Sequence, residues 1–161
     1  MNGTTTMNIN VTKRDGSKQV FDLEKVHKVL EWAVDGITGV SISEIELKSN
    51  IQLFDKIPAY DIHELLIKSA AELISEHTPN YQFVAARLIN YKLRKEVYGE
   101  YTPWPFKKLI AHNVSSGVYD AEILEKYSEE EITELGSYIK HERDDTFTYA
   151  GMEQFRGKYP V

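Results

Sequence analysis

The sequence contains no cysteine, so this chain alone forms no disulfide bond, thiolate zinc site or iron–sulfur cluster and performs no thiol chemistry. Basic residues are also in deficit, because 19 Lys and Arg stand against 25 Asp and Glu, which gives a net charge of −6. A protein that binds the nucleic-acid backbone without sequence preference needs a basic face. The charge balance therefore argues against nucleic acid as a partner.

Long hydrophobic runs are missing as well. No apolar segment approaches the ~20 residues of a membrane-spanning helix, and the N-terminal sequence MNGTTTMNINV lacks the charged and apolar regions of a signal peptide. We therefore expect a soluble, cytoplasmic protein without a membrane partner. At 161 residues, with 42% hydrophobic and 27% charged residues, the chain has the composition of an ordinary globular protein.

The residue pattern predicts a mainly α-helical fold that begins with a small β-hairpin. Apolar and polar residues alternate near residues 9–13 and 19–21, and Asp15-Gly16 between them is typical of a turn. Asp22 is a good N-cap for the helix that follows, and Ser41 to Glu44 has the form of a capping box. Four helices are predicted over residues 22–99, with starts near Asp22, Ser41, Asp61 and Thr78.

The character of the chain changes at Tyr101. Residues 1–100 hold 12 basic and 14 acidic residues, a net charge of −2, whereas residues 101–161 hold 7 and 11, a net charge of −4 in fewer residues. Several short helices are predicted in this second part, including one that opens with a capping box at Ser128 and Glu131. We therefore expect a short helical extension after the hairpin and four helices.

Three cations near the start of the chain suggest an anion site. Lys13 and Arg14 lie at the predicted hairpin tip, and Lys25 lies in the first turn of the first helix. The positive end of the helix dipole disfavours a lysine there unless an anion neutralises it, and a helix N-terminus itself binds anions. The cluster suits a nucleotide triphosphate, and Lys95 joins it only if the fold brings that residue back. The alternative is that all are solvated surface cations.

Other common site signals are weak. The histidines are scattered without metal-ligand spacing, which predicts no metal site, and His63 alone lies where a polar side chain reaches a ligand, in the first turn of the third helix. The sequence contains neither G-x-x-x-x-G-K-[ST] nor G-x-G-x-x-G. The two common nucleotide-binding loops are therefore not present.

Taken together, several segments resemble the ATP-cone at the N-terminus of the large subunit of class I ribonucleotide reductase. They are VTKRDG at 11–16, FDLEKV at 21–26, DIH at 61–63, YQFVAARL at 81–88 and LRK at 93–95. Later segments resemble the helical lead-in to that enzyme's catalytic barrel: YGEY at 98–101, GVYD at 117–120, YSEEE at 127–131, HERD at 141–144 and FTY at 147–149. The resemblance implies an ATP-cone at 7–100, a hairpin capping a four-helix bundle, and at 101–161 the helical start of the catalytic domain, truncated before the barrel.

The resemblance also implies which residues bind nucleotide. Lys13, Arg14, Lys25 and Lys95 match the cations that contact the phosphates. Gln19 and Asp22 stand where the family reads the adenine amino group, usually with Glu and Asn. The remaining members of the implied site are the apolar walls Phe21, Val26 and Ile62, the neighbouring Val20, Leu23 and Glu24, His63 near the sugar and phosphates, and Ala59, which replaces a hydroxyl residue of better-known members.

The function implied is that of an allosteric segment of the reductase, with ATP or dATP as effector and magnesium accompanying the triphosphate. The implied partners are the small, radical-generating subunit and the remaining part of the large subunit, or a second copy in a homodimer. The alternative is a degenerate cone that only docks as a structural piece of a split or truncated subunit. The barrel and its cysteines are missing, so we expect an isolated fragment, a truncated reading frame or a split-gene product.

We expect the purified chain to reduce no ribonucleotide, because the chemistry of the family requires cysteines that this sequence does not contain. The assay supplies ribonucleoside diphosphates, a small subunit and dithiothreitol. Deoxynucleotide formed by this chain as the only large-subunit component would contradict the prediction.

Overall fold

The computed structural model of the protein describes residues 10–12, 16–20, 22–50 and 58–158, without the side chains of Asn10, Asn50, Ala59, Tyr60 and Lys158. Three residues of the predicted site, Lys13, Arg14 and Phe21, lie outside the described residues. The predicted turn at Asp15 and the segment 51–57 also lie outside them.

The described part of the chain is a small hairpin followed by helices, which confirms the predicted fold class. In chain order the elements are β1 (Asn10–Thr12), β2 (Lys18–Val20), α1 (Leu23–Val34), α2 (Ile42–Asn50), α3 (Ala59–Glu72), α4 (Tyr81–Tyr98), α5 (Phe106–Ser115), α6 (Glu122–Lys126), α7 (Glu129–Ser137), a 3-10 helix (His141–Thr146) and α8 (Tyr149–Lys158). The strands pair antiparallel, with Asn10 opposite Val20 and Thr12 opposite Lys18.

Packing divides the chain into two compact units. The first unit comprises Met1–Asn90 together with Phe147–Val161, and the second unit comprises Tyr91–Thr146. The domain boundary between residues 100 and 101 that the sequence suggested stays a prediction.

The core of the first unit is built from the apolar faces of its helices. Leu30 of α1, Ile45 of α2 and Ile89 of α4 are completely inaccessible to solvent. Helix α3 contributes a stripe of buried residues spaced three and four apart. The buried members of that stripe are Ile62, Leu65, Leu66, Ser69 and Ala70.

Helix α4 also holds the connection between α1 and α2 through polar side chains. The hydroxyl of Tyr81, a residue only 1% exposed, accepts a hydrogen bond from the Ser41 N–H at 2.9 Å and donates one to the Glu44 carboxylate. A capping box would join Ser41 and Glu44 directly. The tyrosine hydroxyl instead stands between the two groups, so the start of α2 is attached to α4.

Helix α4 also caps the C-terminal end of α1. The Arg87 guanidinium donates to the carbonyl oxygens of Asp35 at 2.7 Å and Ala33 at 3.4 Å. The last carbonyls of a helix have no partner within the helix, so this side chain satisfies groups that otherwise need water. Gly36 follows the cap of α1 with a φ of 69°, a conformation that glycine adopts at little cost.

The second unit is organised around α5 and α7. Ile110 of α5 and Ile132 of α7 are buried, and a Cβ at Gly136 would lie 2.7 Å from the Cβ of Phe106, so glycine permits this close approach. Ser128 and Glu131 form the predicted capping box at the start of α7, which is confirmed. The 3-10 helix is joined to residues of α4 by an ion pair of 2.9 Å between Arg94 and Asp144.

We expect Tyr81→Phe to lower the free energy of unfolding by about 1–2 kcal/mol, because it leaves the Ser41 N–H and the Glu44 carboxylate without their shared partner. Urea denaturation of the whole chain measures the change. Tyr127→Phe is the matched control, since that tyrosine is 56% exposed at the end of α6. Equal losses in the two variants would contradict the assigned role of the Tyr81 hydroxyl.

Candidate functional site

The hairpin lies against the start of α3. Thr12 of β1 forms a parallel bridge with Pro58, the residue that precedes α3. β2 leads through residue 21 to Asp22 and α1. The strand that precedes Lys13 therefore pairs with the residue directly before the helix that carries Ile62 and His63.

Asp22 is the N-cap of α1, as the sequence predicted. One oxygen of its carboxylate accepts the Glu24 N–H at 3.1 Å, and the other lies 3.6 Å from the Lys25 ammonium. A carboxylate at a helix N-terminus is stabilised by the helix dipole. Asp22 thus places one carboxylate of the chain itself close to Lys25.

Most of the predicted site residues that the structure describes face solvent. The Lys25 side chain is 70% exposed, Leu23 is 58% exposed and Val20 is 59% exposed. Gln19 and Glu24 are also exposed, and Val26 and His63 are partly buried. Ile62 is buried at 8% exposure. The surface therefore presents the accessible ammonium of Lys25 and the accessible amide of Gln19 together with exposed apolar side chains.

The charge of this surface is mixed. Among its described residues, the carboxylates of Asp22 and Glu24 stand against the single ammonium of Lys25. These groups alone do not form a basic pocket. A triphosphate at this place requires the further cations that the sequence predicted, and of these Lys13 and Arg14 lie outside the described residues.

Lys95 and Ala59, two other predicted site residues, lie on different helices. Lys95 belongs to the second unit, where it is exposed and its ammonium lies 5.3 Å from the centre of the Tyr91 ring. Its participation in a site with first-unit residues stays a prediction. Ala59 is the first residue of α3, whose N-cap, Pro58, makes no side-chain capping bond.

A groove of about 530 Å³ lies between α1 and α2, beside the predicted site. Its lining consists of Leu23, Glu24, His27, Lys28 and Glu31 from α1 and Glu46 from α2. The Nδ1 of His27 lies 2.7 Å from a Glu46 oxygen, and its Nε2 lies 3.5 Å from a Glu31 oxygen. The hydrogen bond with Glu46, assisted by the charges of both carboxylates, raises the pKa of His27.

The groove contains residues that sequence reasoning missed. His27 and Glu31 are four residues apart on one helix, a spacing that indicates a side-chain pair. Glu46 is 19 residues from His27, and no local pattern relates the two. The contact between His27 of α1 and Glu46 of α2 could therefore not be predicted from the sequence and was found only in the structure.

Two structural features are missing from the part of the chain that is described. Within those residues no group of three or more His, Cys, Asp or Glu side chains is placed to hold a metal ion. None of the described helices combines the length and the apolar character required to cross a membrane.

The region that contains this surface matches a known protein family. The model of the ATP cone domain matches residues 9–96, more than half of the chain. The chain belongs to the ATP-cone family. The matched range includes the hairpin, α1 to α3 and nearly all of α4, and so every residue of the predicted nucleotide site.

Known relatives extend the match beyond the cone. The chain is 48% identical over 154 residues to ribonucleoside-diphosphate reductase 1 subunit alpha of Escherichia coli (strain K12), covering 96% of this chain and 20% of that protein. It is 48% identical over 155 residues to the subunit alpha of Enterobacteria phage T4 and 36% identical over 152 residues to that of Helicobacter pylori, covering 95% and 94% of this chain. The chain spans about a fifth of these relatives' length, in their N-terminal region.

We expect the stability of the first unit to depend on pH through His27. Its pKa is raised above the ordinary value of 6.5, so the folded chain holds this proton more tightly than the unfolded chain. The resulting stabilisation is complete below pH 6.5 and is lost as the pH rises through the folded-state pKa. Urea denaturation from about pH 5 to about pH 8 should show a decline in the free energy of unfolding.

His27→Gln should flatten this decline, whereas His77→Gln, which removes an exposed histidine after α3, should retain it. The same pH profile in wild type and His27→Gln would contradict the assignment.

Proposed function

We propose that the ATP-cone of this chain binds ATP and dATP and acts as an allosteric segment of a ribonucleoside-diphosphate reductase large subunit. The observation that carries the proposal is the match of residues 9–96 to the ATP cone domain. The bridge between Thr12 and Pro58 supports it, because the bridge joins the predicted hairpin and α3 parts of the site.

The phosphates are proposed to lie at the N-terminus of α1. The first N–H groups of a helix and its dipole attract anions, and Lys25 presents an exposed ammonium there. A triphosphate competes with the Asp22 carboxylate for this ammonium, so its affinity reflects the difference between two ion pairs. Lys13, Arg14 and Lys95 are proposed to supply the remaining positive charge, and magnesium is proposed to arrive bound to the phosphate oxygens.

The adenine base is proposed to lie between Gln19, Asp22 and the apolar side chains. The Gln19 amide oxygen and the Asp22 carboxylate both accept hydrogen bonds from an amino group. Asp22 already accepts the Glu24 N–H, but a carboxylate has about four acceptor positions, so capping the helix and contacting the base are compatible. Val26 and Ile62, with Phe21, are proposed as the apolar walls.

Regulation follows from the difference between the two effectors. ATP and dATP differ by one 2′-hydroxyl. A nucleotide shifts an equilibrium between two assembly states only if it binds one state more tightly than the other, so the two effectors must differ in the ratio of these affinities. We propose that the small, radical-generating subunit and the remaining part of the large subunit, or a second copy, form that assembly. The names of the relatives, each a reductase subunit alpha, support this choice.

A structural docking role is the second candidate. Leu135, Tyr138 and Ile139 lie three and four residues apart at the end of α7 and are 57%, 70% and 42% exposed. Exposed apolar side chains grouped in this way are typical of contact surfaces. If the cone binds no nucleotide, this surface favours a chain that serves only to complete a larger subunit.

We expect isothermal titration calorimetry to detect saturable binding of ATP and dATP by the whole chain, and Lys25→Ala to weaken it by about 10–150-fold. The estimate follows from the 1.5–3 kcal/mol of a charge-assisted hydrogen bond at roughly 1.4 kcal/mol per tenfold change. Lys126→Ala is the matched control, because Lys126 is likewise an exposed helical lysine, 60% accessible and paired with Glu122.

Equal affinity in the Lys25 and Lys126 variants would contradict the phosphate role of Lys25. No saturable binding by wild type at millimolar nucleotide would overturn the proposed function and leave the docking role.

A further inference from the structure

Helix α8 is attached to α3 by an arginine between two carboxylates. The Arg156 guanidinium donates to Glu64 of α3 at 2.7 Å and also to Glu153 of its own helix. The side chains of Arg156 and Glu64 are 25% and 35% exposed, so this pair is more shielded than most surface ion pairs. A contact across 92 positions of sequence thus fixes α8 within the first unit.

Glu64 is placed next to the proposed nucleotide site. It directly follows Ile62 and His63 in the first turns of α3, the residues assigned to the base and to the sugar and phosphates. Any reorientation of these turns moves all three residues together, because they share one helical backbone. Arg156 therefore holds the part of α3 that a nucleotide would contact.

The junction of α3 and α8 is not closely packed. A solvent-open groove of about 250 Å³ lies there, lined by residues of both helices, among them Ile67, Lys68, Tyr149 and Arg156. Of the described side chains of α8, Met152 alone is a buried apolar group. The ion pair therefore adds to the attachment that the buried Met152 side chain provides, and the groove leaves open space beside the ion pair.

We propose that nucleotide binding and the docking of α8 are coupled through the Glu64–Arg156 ion pair, each favouring the other. The inference rests on the proposed function of the cone. A nucleotide on Ile62 and His63 restrains the first turns of α3 and holds the Glu64 carboxylate where Arg156 binds it. Conversely, a docked α8 has already restrained those turns, so the nucleotide loses less conformational entropy on binding.

The test uses the whole chain with and without saturating ATP. In wild type, ATP should slow amide hydrogen exchange over 147–158, and in Arg156→Gln this slowing should vanish. Because coupling is reciprocal, Arg156→Gln should also weaken ATP binding about fivefold or more in calorimetry. Lys126→Gln is the control, since it removes one charge and one exposed ion pair in the second unit.

The outcomes separate this inference from the proposed function. Saturable ATP binding by wild type without a change of exchange over 147–158, or with full affinity in Arg156→Gln, overturns the coupling alone. Absence of ATP binding by wild type overturns both. If Arg156→Gln does not fold, Glu64→Gln removes the same pair with little change of shape, and the wild-type exchange experiment still decides.

Discussion

Two polar side chains of α4 hold the end of α1 and the start of α2 within the first unit. Arg87 binds the carbonyls at the end of α1, and the Tyr81 hydroxyl holds the start of α2. These contacts replace water at backbone groups that helices leave unpaired. Arg87, which is 54 positions from Ala33 in sequence, thus contacts the helix whose N-terminal end carries Asp22 and Lys25.

What sequence reasoning predicted well was set by neighbours in the chain. The Asp22 cap and the Ser128 capping box each depend on residues two or three positions apart. The Tyr81 contact to Ser41 spans 40 positions and the 3-10 helix at His141–Thr146 pairs through Asp144 with Arg94. Periodicity reports which face of a helix is buried, and it does not report which helix a polar side chain reaches.

The site shows the same division. Sequence reasoning proposed a ligand anion beside Lys25, which stays a prediction, and did not pair this lysine with the Asp22 carboxylate that lies 3.6 Å from it. The bridge between Thr12 and Pro58, which joins the hairpin to α3, has no local signal because its two residues are distant in sequence. The Glu46 partner of His27 was missed for the same reason. The pairing of residues distant in sequence was thus not predictable from local patterns.

The exchange of charge at positions 19 and 22 has a physical consequence. Where the family pattern usually has Glu and Asn, this chain has Gln19 and Asp22, so the pair keeps one carboxylate and one amide but moves the negative charge to the N-cap of α1. At the N-cap the carboxylate interacts favourably with the helix dipole and with Lys25, whether or not a ligand is present. In the proposed nucleotide site, a triphosphate would compete with the Asp22 carboxylate for Lys25. Gln19 and Asp22 both offer acceptors for an adenine amino group, so within that proposal the exchange weakens phosphate binding and keeps adenine selectivity.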